Sequence, residues 1–169
     1  MLTKLCRTGV IVVAVALATA SGASADKPIK EPVSASPVVF AGPTAVCAFP
    51  VEMTASTFRN FSTTHLDKGG GIRWIGGAGT IVSTVTNMTT GKSVDINASG
   101  PGKITFNEDG SLTVEGGGPW LIGFFATDNP PLALLLYRGH IVLNVASDGT
   151  LSLVSYVGAP PQDVCAMIA

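Results

Sequence analysis

Three observations on this chain predict an all-β, antiparallel fold. Apolar residues alternate with polar ones through most of it, glycine-containing turns separate the alternating runs, and helix signals are nearly absent. Alternation at period two puts apolar side chains on one sheet face and polar ones on the other. About eight or nine strands are expected after Thr44, joined by short turns, which indicates an up-and-down barrel or, as the alternative, a β-sandwich. The succession of hairpins favours the barrel, because a sandwich usually needs long crossing connections.

The first residues read as an export signal. Lys4 and Arg7 make a basic start, Gly9 to Ala20 is apolar, and Ala23-Ser24-Ala25 is a small-x-small cleavage site. The apolar stretch is shorter than the roughly 20 residues that cross a bilayer, and no later segment reaches that length. An uncleaved anchor is the rival reading, and the Ala-x-Ala site favours cleavage. Residues 1–25 are therefore expected to be a signal peptide, with a secreted, extracellular chain beginning at Asp26. Residues 26–44 carry Pro28, Pro32, Pro37 and Pro43. Proline lacks an amide hydrogen and restricts its predecessor, so an extended, mobile leader is expected there. Residues 45–169 remain for a single β domain.

Charged residues make up only 12% of the chain, about half the usual share, so hydroxyl groups must keep the surface soluble. The formal charge is −1 and becomes more negative when Lys4 and Arg7 leave. Such a surface has no electrostatic footprint for nucleic acid or an anionic membrane.

The strands follow in order. Phe49, Val51 and Met53 alternate with polar residues or proline, and Thr80 to Met88 is rich in β-branched side chains. Val94, Ile96 and Ala98 alternate next, then Ile104 and Phe106, Leu112 and Val114, the triplet Ile141, Leu143 and Val145, and Leu151 with Leu153. Asp109-Gly110 and Asp148-Gly149 sit between such runs, where glycine supplies the positive φ of a tight hairpin. Thr90-Gly91-Lys92 and Gly100-Pro101-Gly102 punctuate the others. Pro160-Pro161-Gln162-Asp163 before Val164 to Ile168 predicts one short terminal helix.

Cys6 lies in the signal, which leaves Cys47 and Cys165 to frame the domain. An exported chain with two such cysteines is expected to join them in a disulfide. A redox or metal pair is disfavoured, since neither has a basic neighbour or a histidine beside it.

Candidate chemistry is sparse. His65 falls in a polar segment ending in Gly69-Gly70-Gly71. His140 is out of phase with Ile141, Leu143 and Val145, and so faces solvent if that triplet faces the core. No spacing gathers histidines and carboxylates for a metal, and no nucleophile motif occurs. Gly69-Gly70-Gly71 and Gly116-Gly117-Gly118 precede no helix, so they read as flexible turns rather than phosphate cradles, and no cofactor is expected. Asn60, Asn87 and Asn97 begin glycosylation triplets, which arise by chance in such a composition. The segment that stands apart is Trp120 to Phe125 followed by Leu132 to Tyr137. Both arms are apolar on both faces, which a sheet covered on one side should not contain. Either the leader or the terminal helix covers the outer face, or that face meets another molecule. Trp120, Phe124, Leu135, Tyr137 and His140 are the candidate ligand-binding residues, with Trp74, Arg138 and Tyr156 as further polar contacts.

Thr86 to Val94, Asn97 to Gly102, Asp109-Gly110-Ser111 and Gly118-Pro119-Trp120-Leu121, taken in this order, resemble a group of small secreted actinobacterial proteins with no assigned function. The resemblance covers about Val46 to Ala166, includes a cysteine near each end of the domain, and brings no catalytic residue. It implies an exported bacterial protein. Three functions fit the whole: a binder of a small apolar ligand or an extracellular partner, a barrel-type cyclase or isomerase, and a structural or surface-interaction protein without a ligand. The first is the leading expectation.

Overall fold

A computed structural model describes residues 29–33 and 35–169. The expected signal peptide and its cleavage site lie outside the described residues. Ten strands follow one another: β1 (Ile29–Val33), β2 (Val38–Phe40), β3 (Val51–Leu66), β4 (Ile72–Asn87), β5 (Ser93–Asn97), β6 (Gly102–Phe106), β7 (Leu112–Gly116), β8 (Pro119–Phe124), β9 (Ala133–Val145) and β10 (Leu151–Asp163). Among the described residues there is one α-helix, α1 (Val164–Ile168), at the C-terminal end as expected, and one 3-10 turn, Gly42–Thr44.

All ten strands join one antiparallel sheet. Its main path runs β1–β3–β4–β6–β7–β9–β10, and it is not closed: β1 and β10 are its two ends. Two long strands each carry two partners end to end. The first half of β4 pairs with β6 and its second half with β5, while β9 pairs with β8 and then with β7. The sheet therefore forks between β4 and β9.

The proline-rich segment is extended but paired. β1 lies along Asn60–Thr64 of β3, and β2 along Val51–Met53, with Phe40 buried. Pro32 is tolerated there because β1 is an edge strand, where a missing N–H costs no ladder bond. This segment was expected to be a mobile leader; alternation could not reveal its pairing because proline masks strand propensity.

The Asp-Gly turns form as expected. Asn107 N–H donates to the Ser111 carbonyl, and the Asp109 carboxylate accepts from the Ser111 hydroxyl and N–H, which hold it below the ordinary carboxylate range. Ala146 N–H donates to the Thr150 carbonyl across the matching turn. Asn87 is buried and spends its side chain on structure. Its amide donates to the Ile168 carbonyl at 3.0 Å and its oxygen accepts from Thr89 N–H at 2.9 Å.

The doubly apolar arms have a structural explanation. β8 and β9 pair with Trp120 opposite Tyr137 and Leu121 opposite Leu136. Along β9, Leu134 and Leu136 face one way, into a core shared with Phe40, Val46, Leu121, Val164 and Ile168. Tyr137, Ile141, Leu143 and Val145 face the other way, into a second core with Val114, Phe124 and Leu151. The helix and the segment before β3 thus cover the outer face over the first half of β9. Beyond Tyr137 that face is open, and Arg138 and His140 on it are exposed.

Cys47 and Cys165 are bonded, with their Cα atoms 5.7 Å apart and 118 positions between them. The bridge pins α1 to the entry of β3, directly over the first core. In the chain-entropy picture a loop of this length contributes roughly 4–5 kcal/mol. The double substitution Cys47→Ser and Cys165→Ser is expected to lower stability by about that amount and to leave the β-type circular dichroism unchanged. Denaturant unfolding of both forms measures it; coincident midpoints would show that the bridge contributes nothing.

Candidate functional site

The inner face of the sheet is built from two cross-strand rows. One reads Thr64, Ile75, Ile104, Val114 and Leu143 across β3, β4, β6, β7 and β9. Its neighbour reads Ser62, Gly77, Gly102, Gly116 and Ile141 across the same strands. Three adjacent glycines in register leave a strip of bare backbone.

Trp120 uses part of that strip. A Cβ on Gly100, Gly102 or Gly116 would collide with the indole ring, so the ring lies directly on the backbone at all three. Its Nε1–H donates to the Pro101 carbonyl at 3.2 Å. The glycine clusters expected to be flexible turns are thus partly structural: Gly116 is buried in β7 beneath the indole.

Beside the indole lies an apolar cavity of about 140 Å³. Ile75, Ile104, Val114 and Leu143 of the first row line it, together with Gly77, Ser62 and Asn60 on the β3–β4 side. Trp120, Leu121 and Ile122 of β8 form the facing wall. Val33 of β1 and Leu151 of β10 also reach it, so the two ends of the open sheet curl toward one space. Its polar side chains are Asn60, Ser62 and the Trp120 indole N–H. Ser62 is 5% exposed.

Of the residues named from sequence, the cavity wall includes Trp120 alone. Phe124 and Tyr137 are buried in the second core, Leu135 is partly buried against it, and His140 is exposed on the outer face. His65 is not in a loop. It is the penultimate residue of β3 and stacks on Trp74, ring centroids 3.5 Å apart, on the side of β4 away from the cavity. The Tyr156 hydroxyl accepts from Arg138 N–H at 3.1 Å and is committed to the β9–β10 pairing. Ser62, Gly77 and Ile75 were not foreseen as lining residues, whereas Leu121 and Ile122 fall in the Trp120–Phe125 arm singled out from sequence. The run Gly76-Gly77-Ala78-Gly79 inside a strand was the available signal, since interior strand glycines often mark a close approach. No group of His, Cys, Asp or Glu among the described residues could hold a metal ion, and no described helix is long and apolar enough to cross a membrane.

No protein-family model, curated protein or solved structure matches the chain.

Two outcomes are expected from this packing. Gly102→Ala should displace the indole, cost about 1–3 kcal/mol and red-shift Trp120 emission in a Trp74→Phe background. Gly77→Ala, where a new Cβ meets nothing nearer than the Phe61 carbonyl at 3.9 Å, should cost nothing by the same measurements. Equal losses for both would show that the indole does not rest on the glycines. The Tyr137 phenol is raised above 10.0 by burial first and the neighbouring Tyr156 second. A raised phenol keeps its proton in the folded state, so its stabilising contribution is present below the unfolded pKa and fades as pH rises through the folded one. Stability should therefore fall with pH above about 10, and Tyr137→Phe should flatten that fall; an unchanged slope in alkaline denaturation would count against it.

Proposed function

We propose that this is an exported protein that holds a small apolar molecule inside a barrel-like, curled sheet. The observation that carries this reading is the cavity beside Trp120, walled by aliphatic side chains from seven strands and by the indole. Ligand pockets are mostly apolar with a few placed polar groups, and this wall has that composition. The cavity is close to the roughly 150 Å³ at which an apolar protein void takes up benzene. An acid–base enzyme is less well supported, because the wall offers no histidine, carboxylate, amine or thiol to move a proton.

Export is supported by the signal pattern of residues 1–25, by the bridge, which forms in oxidising compartments, and by the resemblance to secreted actinobacterial proteins.

The test is a titration of the Trp74→Phe protein with a panel of small apolar compounds, reading Trp120 emission. A saturable change is expected for at least one compound. It should vanish in Ile104→Phe, whose larger ring fills the void, while circular dichroism stays that of the parent. Emission indifferent to the whole panel would remove the support for a binder.

A further inference from the structure

We propose that the cavity selects a planar ring bearing one oxygen substituent, a phenol or a similar unsaturated cyclic alcohol or ketone, laid flat on Gly77 with its oxygen on Ser62. This rests on the binding reading above and names its ligand class.

The argument begins with an unexplained glycine. β4 contains glycine at 76, 77 and 79, and each costs strand stability relative to a residue with a side chain. Gly79 has φ +150, and a Cβ there would collide with the Arg59 carbonyl. A Cβ on Gly76 would press on the Trp74 ring at 3.0 Å. Gly77 has neither reason: its φ is ordinary and the nearest atom to a Cβ is 3.9 Å away. It nevertheless stands in register with Gly102 and Gly116, which are bare because an aromatic ring lies on them. The strip therefore extends one strand beyond the ring it carries, and at that strand it faces the cavity. A second flat ring is the occupant for which missing side chains give room. A branched or puckered molecule gains nothing from them.

Ser62 supplies the second, independent observation. It is the register partner of Gly77, lines the cavity and is 5% exposed, yet its hydroxyl makes no hydrogen bond among the described residues. No sealed side-chain oxygen or nitrogen in the described residues lacks a partner, so this hydroxyl opens to the void. The hydroxyl is thus free to bond whatever enters that space, and a ligand oxygen beside Gly77 would take the place of water on it. Of the other polar groups on the wall, the indole N–H is spent on the Pro101 carbonyl and Asn60 Oδ1 accepts from Phe61 N–H, so Ser62 is the group we assign to the ligand oxygen. A volume of about 140 Å³ suits a single ring with a short substituent.

The experiment is an amide NMR titration of the disulfide-bonded protein with four probes: p-cresol, toluene, 4-methylcyclohexanol and 1-octanol. Shifts are expected at Ser62, Gly76 and Gly77, with p-cresol binding about five- to tenfold tighter than toluene, the worth of one hydrogen bond. It should also bind tighter than 4-methylcyclohexanol, which has the same oxygen on a puckered ring. Ser62→Ala should bring p-cresol down to the toluene affinity and leave toluene unchanged. Gly77→Ala should weaken p-cresol and toluene together, in a protein whose spectrum shows the parent fold. If 4-methylcyclohexanol or 1-octanol matches p-cresol, or if Gly77→Ala has no effect on p-cresol, the planar-ring inference is wrong and the apolar-binding reading stands. If no probe moves the cavity amides, both fail.

Discussion

Trp120 can lie where it does only because Gly100, Gly102 and Gly116 carry no side chains. That contact sets the geometry of the fork in the sheet. β8 pairs with the first half of β9 and β7 with the second, and the indole reaches from β8 onto Gly102 of β6 and Gly116 of β7. A ring on bare backbone also makes a hard wall. Its position is fixed by the Pro101 carbonyl on one edge and by three peptide planes beneath. The cavity starts where that wall stops, so its shape follows from the same glycines.

The second constraint is the cover over β9. Leu134 and Leu136 would be exposed on the outer face if α1 were elsewhere, because an antiparallel sheet with one solvated face should alternate. A five-residue helix has little cohesion of its own, since isolated helices this short are not stable in water. It is held by Val164 and Ile168 in the core, by the Asp163 carboxylate accepting from Ala166 N–H, by Asn87 on the Ile168 carbonyl, and by Cys165 bonded to Cys47. The switch in β9 from apolar outer residues to Arg138 and His140 marks where this cover ends.

The parts of the fold legible in the sequence are those whose inner face is aliphatic. Ile104 with Phe106, Leu112 with Val114 and the Ile141 triplet announce strands because their neighbours are polar. The stretch from Ala55 to Leu66 announces nothing, since its inner residues include Ser62 and Thr64, and facing it β4 offers Gly77 and Gly79. Polar and glycine residues on the buried side erase the alternation, so His65 read as part of a loop when it is the penultimate residue of a 16-residue strand. The signal fails there because the inner face beside the cavity carries small or polar groups where a packed core carries aliphatic ones. Trp120 was found because tryptophan in a doubly apolar hairpin is conspicuous. Phe124, Leu135 and Tyr137 were swept in with it by proximity in sequence, though alternation and the second core take them elsewhere.

A void in so small a domain needs an offset. Leaving the space beside the indole unfilled forgoes the packing that side chains would give there. The disulfide contributes roughly 4–5 kcal/mol, acts mainly on the unfolded chain, and sits over the first core, away from the glycine strip. A frame stabilised in this way can leave part of its inner face unfilled without unfolding. Helix and bridge cap the first core, while the cavity is lined from both cores, by Ala98 and Leu121 of the first and by Val114, Leu143 and Leu151 of the second. Gly77 and the Ser62 hydroxyl, neither explained by a neighbouring contact, meet at one place on the inner face beside the cavity, and that coincidence is what favours the binding reading proposed above over a purely structural sheet.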